Sequence, residues 1–166
     1  MKMANFRILG ISLLIAATMT TIALAQSSDR DHPTTLKSNE ITGDVDGTGG
    51  EYFYSFTAGP GELVITADAK GGADSGATIG FELFNQDGSK SLFSWEYAQA
   101  DAAGQSGRAV KKLKFAKRQT VMLCLTPQKT GRGTYRIKLS GPSAPNFDAA
   151  GILPASRHGC EIGALI

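Results

Sequence analysis

Glu51-Tyr-Phe-Tyr-Ser-Phe-Thr-Ala-Gly-Pro-Gly-Glu-Leu-Val-Ile-Thr-Ala-Asp-Ala69 carries the strongest secondary-structure signal in the chain. Two runs rich in aromatic and β-branched residues flank Ala58-Gly-Pro-Gly61, a composition that suits pleated strands on either side of a turn. Tyr52, Tyr54 and Phe56 fall on one side of an extended chain, and so do Leu63, Ile65 and Ala67. The stretch predicts a β-hairpin with one apolar face.

The same signals extend in both directions. Strands are expected near residues 36–42, 51–57, 62–69, 77–84, 90–96, 108–115, 119–126 and 133–140, separated by segments rich in glycine and polar residues. Asn85-Gln-Asp-Gly88 is a strong turn signal, because Asp-Gly tolerates positive φ. Ile79, Phe81 and Leu83 alternate, and Tyr135, Ile137 and Leu139 alternate with Arg136 and Lys138, the pattern of antiparallel sheets packed on one face. Val121-Met-Leu-Cys-Leu125 is apolar throughout and predicts a buried central strand. About eight short strands with turn-rich connections, and no amphipathic helix after residue 25, predict an all-β, antiparallel two-sheet β-sandwich over residues 35–141. Residues 26–34 are polar and predict a mobile arm; residues 142–166 predict a tail that docks Ile152, Leu153, Ile162 and Leu165 on the sandwich.

Residues 1–25 read as a signal-peptide helix: Lys2 and Arg7 precede an apolar run, and Ala23-Leu-Ala25 is a small-x-small cleavage site. Cleavage near Ala25 predicts a secreted or periplasmic protein with no stable membrane insertion after cleavage. Lys2 and Arg7 leave with the leader, so the 17 basic residues fall to 15 and balance the 15 acids. That balance speaks against a nucleic-acid partner.

Gly43-Asp-Val-Asp46 ahead of Tyr52-Phe-Tyr-Ser-Phe56, the Gly59-Pro-Gly61 turn before Leu63-Val-Ile-Thr66, and the closing Gly133-Thr-Tyr135 strand carry a family resemblance. Over residues 36–141 the chain resembles the bacterial pre-peptidase C-terminal (PPC) domain. The resemblance implies a jelly-roll sandwich, of a kind usually appended to exported enzymes and given roles in substrate binding, targeting or secretion. Two departures are the Gly47-Thr-Gly-Gly50 insertion before the aromatic strand and a long loop at residues 98–107.

Asp44, Asp46 and Glu51 are candidate calcium ligands, since calcium favours several hard oxygen donors. Their spacing does not complete an EF-hand loop, and a solvated acidic turn is the plainer reading. No cofactor is otherwise required. Phe93, Trp95 and Tyr97 alternate and are expected on one side of a strand. Core packing is the favoured reading; on an exposed face Trp95 and Tyr97 would instead be a platform for sugar rings. Cys124 and Cys160 form one disulfide in an oxidising compartment or stay as two thiols, an alternative that sequence leaves open. Eleven acids and only Lys70 and Lys90 lie in residues 40–101, whereas ten bases and no acid lie in residues 108–138. Cross-strand pairing of early acids with late bases is favoured over a basic binding face, for which Lys111, Lys112, Lys114, Lys117 and Arg118 are the residues to test.

His32 and His158 stand in no triad context, and neither Gly-x-Ser-x-Gly nor His-Glu-x-x-His occurs. The sequence therefore predicts a non-catalytic binding or accessory module for an envelope glycan, surface polymer or exported protein, with loops 43–50 and 98–107 as contact sites. A structural envelope protein assembling through its tail or edge strands is the alternative, and a hydrolase stands third.

Overall fold

The computed structural model describes residues 26–145. Nine strands run in chain order: β1 (Thr34–Thr35), β2 (Glu40–Val45), β3 (Tyr52–Ala58), β4 (Gly61–Gly71), β5 (Ala77–Asn85), β6 (Ser91–Ala100), β7 (Ser106–Phe115), β8 (Gln119–Pro127) and β9 (Gly133–Ser140). No helix occurs among the described residues. The strands form a jelly-roll-type sandwich of a five-stranded sheet, β1-β3-β8-β5-β6, and a four-stranded sheet, β2-β9-β4-β7. Residues 1–25 and 146–166 lie outside the described residues, and with them the expected signal-peptide helix, His158, Cys160 and the expected tail anchors.

Alternation places the core. Tyr54, Phe56, Ile79, Phe81, Leu83, Val121, Leu123 and Leu125 from one sheet meet Leu63, Ile65, Ile137 and Leu139 from the other, all buried. β8 lies between β3 and β5, which accounts for its unbroken apolar run: Met122 and Cys124 on its outer side are buried as fully as the core residues.

The opening hairpin does not form. β3 pairs with β8 and β1, while β4 pairs with β7 and β9 in the opposite sheet. Residues 58–61 carry the chain across the sandwich through Gly59 at φ +87° and a cis Gly59–Pro60 bond. A Cβ at Gly59 would lie 2.7 Å from the Lys117 carbonyl oxygen, so glycine supplies both the backbone angle and the space. An arch and a hairpin have the same alternation, because in either case each strand turns its apolar side to the core.

The expected strand at residues 36–42 is replaced by β1, a sheet crossing and β2. Leu36 and Ile41 are both buried, yet they are five residues apart and would face opposite ways along one unbroken strand. The break at residues 37–39 lets both enter the core. Half of the 98–107 segment is strand, because β6 continues to Ala100 and β7 begins at Ser106, which leaves a loop of residues 101–105. Ala98 and Ala100 are buried where the two strands approach, and a Cβ on Gly107 would collide with the Gln99 carbonyl.

The arm at residues 26–34 lies against the sandwich. Ser27 bridges Phe53, and Thr34 and Thr35 pair in parallel with Tyr54 and Ser55. The Gln26 amide donates to the Tyr135 hydroxyl at 3.3 Å.

Candidate functional site

The outer face of the five-stranded sheet carries the most distinctive group of side chains, and a bulge creates it. Phe81 lies opposite Glu96 and Leu83 opposite Phe93, so two steps along β5 correspond to three along β6. The extra residue reverses the facing of the chain between Phe93 and Trp95. Phe93 turns inward and meets the Phe81 ring edge to face, with centroids 5.8 Å apart and planes at 72°. Trp95 and Tyr97 turn outward. The expectation of three aromatics on one side, favoured as core, thus holds for Phe93 alone.

Trp95 and Tyr97 stack with centroids 6.2 Å apart and planes inclined by 23°. Trp95 is half-buried against an outer-face cluster of Phe53, Met122 and Cys124, whereas Tyr97 is 49 % exposed. Gly80 on β5 makes room for both: a Cβ there would lie 2.9 Å from Tyr97 Cε1 and 3.3 Å from Trp95 Cε3. A glycine in the interior of a strand is the sequence signal that marks such a close approach.

Polar groups border the rings. Glu82, paired with Cys124 and 8 % exposed, makes no hydrogen bond or ion pair among the described residues. Thr126 lies opposite Gly80, and Gln99 Nε2 donates to Asp101 Oδ1 at 2.7 Å. The docked arm bounds the other end. Arg30 lies 4.9 Å above the Phe84 ring centroid and donates to the Gly88 carbonyl. The arm thus covers the Phe84 end of the face and leaves the Tyr97 end open. Burial, reinforced by the charges of Glu51 and Glu82, pushes the Cys124 thiol up to about 12.

The other sequence-predicted residues lie elsewhere. Asp44 is exposed on β2, and Asp46 accepts hydrogen bonds from the Thr48 backbone amide at 2.9 Å and its hydroxyl at 2.7 Å. The Thr48 hydroxyl and amide hold the Asp46 carboxyl below its ordinary range. Among the described residues no three acidic, histidine or cysteine side chains converge on one point, so Asp44, Asp46 and Glu51 are not brought together. Cys124 is buried on β8, and its candidate partner Cys160 lies outside the described residues. The segregated charges meet across strands: Arg108 pairs with Asp68 at 2.6 Å, Arg136 with Glu40 at 2.5 Å, Lys111 with Glu96 at 2.7 Å and Lys112 with Glu62 at 3.8 Å. Gly80, Glu82 and Arg30 are the site residues that sequence reasoning missed. Only Gly80 carried a local signal.

Neither family models nor curated proteins match the sequence. Among solved structures, the chain is similar to the pre-peptidase C-terminal domain of a collagenase from Bacillus anthracis. Identity is 16 %, the TM-score is 0.42, and the match covers 68 % of this chain and 98 % of that one. It is also similar to a structure described as CBM4, with 11 % identity and a TM-score of 0.39 over 54 % of this chain and 61 % of that one. A tailspike protein 4 domain of bacteriophage CBA120 matches with 8 % identity and a TM-score of 0.36 over 62 % of this chain and 19 % of that one.

Proposed function

We propose that this chain is an exported, non-catalytic binding module that holds a glycan on the outer face of its five-stranded sheet. The observation that carries the reading is the Trp95–Tyr97 stack, held at the surface by the β6 bulge and accommodated by Gly80. Sugar rings present an apolar C–H face and a polar edge. Large aromatic faces cover the first, while Glu82 and Gln99 offer an acceptor and an amide to the second. Export rests on the leader sequence, with a mature chain starting near Gln26.

The assembling alternative is disfavoured at one edge of the sandwich. β7 is the edge of its sheet and presents Lys112 and Lys114 outward, so two copies of that edge would repel each other.

The test is a glycan array probed with the purified protein and with Trp95→Ala and Tyr97→Ala. Both variants should lose binding by at least about tenfold, equivalent to about 1.4 kcal/mol. Unchanged binding by Trp95→Ala would sink the reading. N-terminal sequencing of protein recovered from outside the cytoplasm should begin near Gln26.

A further inference from the structure

A second cavity lies along the edge of the sandwich where the two sheets meet, between the start of β6 and the end of β7, a cleft of about 450 Å³. That volume lies within the range of small-molecule sites. Its floor is apolar: Phe93 and Leu113 are partly exposed there, and Phe115 is buried behind them. Its rim is basic, and no acidic residue lines it. Lys111 is already engaged, with its ammonium 2.7 Å from Glu96 and 5.2 Å from the Phe93 centroid. Lys114 and Lys117 are exposed and make no hydrogen bond or ion pair among the described residues.

We propose that this cleft binds a free amphiphile with one alkyl chain and one anionic head, as in a long-chain fatty acid. The alkyl chain lies on Phe93 and Leu113, and the carboxylate sits between the Lys114 and Lys117 ammonium groups. An apolar floor alone accepts any hydrocarbon, and a lysine cluster alone accepts any anion; their juxtaposition selects a molecule carrying both. The site is a recess between two sheet edges, which suits a monomeric ligand over a flat membrane surface. The proposal is independent of the glycan reading.

The test is calorimetric titration of the purified protein with sodium octanoate, decanoate and dodecanoate below their micelle concentrations. Each added pair of methylenes should strengthen binding by roughly fifteenfold while the cleft is filling, because one buried methylene contributes a factor of about four. Dodecanol should bind at least about tenfold more weakly than dodecanoate. Lys114→Gln/Lys117→Gln should weaken dodecanoate by a similar factor, as charge-assisted pairs are lost. Lys117→Gln alone, in the β7–β8 turn, should show an intermediate loss, and Trp95→Ala should change nothing. Equal affinity for octanoate and dodecanoate would reduce the site to a basic patch and overturn the proposal. So would equal affinity for the alcohol, an unaffected double variant, or binding to anionic phospholipid vesicles in preference to free dodecanoate.

Discussion

Adding one methyl group beneath each of two tyrosine rings should have opposite consequences. Gly43 on β2 lies opposite Tyr135, and a Cβ there would sit 2.5 Å from both Cζ and the hydroxyl oxygen of that ring. Gly80 lies opposite Tyr97, where the closest approach would be 2.9 Å. Against a carbon contact of roughly 3.5 Å, Tyr135 must move by about 1 Å and Tyr97 by about 0.6 Å. Tyr135 is 3 % exposed and its hydroxyl is held by Gln26, so its movement must disturb the core; Tyr97 is 49 % exposed and can lift into solvent. Overpacking in an enclosed site costs about 1–3 kcal/mol, and Gly→Ala returns about 0.4–1 kcal/mol through the unfolded chain where the backbone angles are ordinary. Neither glycine has positive φ, so that return applies to both. Gly43→Ala should therefore lose about 1–2 kcal/mol, lowering Tm by about 4–10 °C for a domain of this size. Gly80→Ala should stay within about 0.5 kcal/mol of the parent, as surface changes usually do. Urea titration with unchanged m-values, together with thermal melts, measures both. Equal destabilisation by the two variants, or a neutral Gly43→Ala, would refute the argument that enclosure of the ring sets the cost. Gly80→Ala should still weaken glycan binding several-fold, because it tilts the platform without touching the core.

Three further outcomes are expected. Phe81→Ala should cost about 3–5 kcal/mol, since its ring is fully buried between the sheets, whereas Trp95→Ala should cost clearly less; a reversed order in chemical denaturation would place Trp95 in the main core. The Asp29 carboxylate, 2.7 Å from His32 Nδ1, raises the His32 pKa and is itself lowered by it. That pairing is complete between the two folded pKa values; it is lost as pH rises through the His32 value and as pH falls through the Asp29 value. An NMR titration should find His32 above about 6.5, and Asp29→Asn should return it towards that value. In a Cys160→Ser protein, Cys124 should resist thiol reagents at pH 8 and react once the chain is unfolded, because burial holds the thiol up at about 12. Fast native labelling would contradict its burial beside Phe53 and Met122.

Strand positions from β3 onward were legible in the sequence because alternation and turn chemistry are local. The Val121–Leu125 run marked the central strand, and Tyr135, Ile137 and Leu139 marked the inner face of β9. The pairing partners were not legible. The Ala58–Gly61 segment has the composition of a hairpin turn, yet β3 and β4 lie in different sheets. The contacts of the arm escaped notice because its anchors are backbone bridges, the Gln26 amide and one arginine, none of which requires apolar residues.

The aromatic triplet shows most plainly where local reasoning stops. Strict alternation puts Phe93, Trp95 and Tyr97 on one side, and it fails because β6 has one residue more than its partner strand between Leu83 and Phe81. A bulge is a property of two strands in register, so no reading of β6 by itself contains it. That the chain is an all-β sandwich with an inner apolar face could be read from residue order, because side-chain alternation follows from backbone geometry alone. Which strands share a sheet, which acids meet which bases, and which aromatics reach solvent are settled in three dimensions. Those outcomes depend on contacts between residues far apart in the chain, whose relative register is fixed only when the two sheets close on their common core.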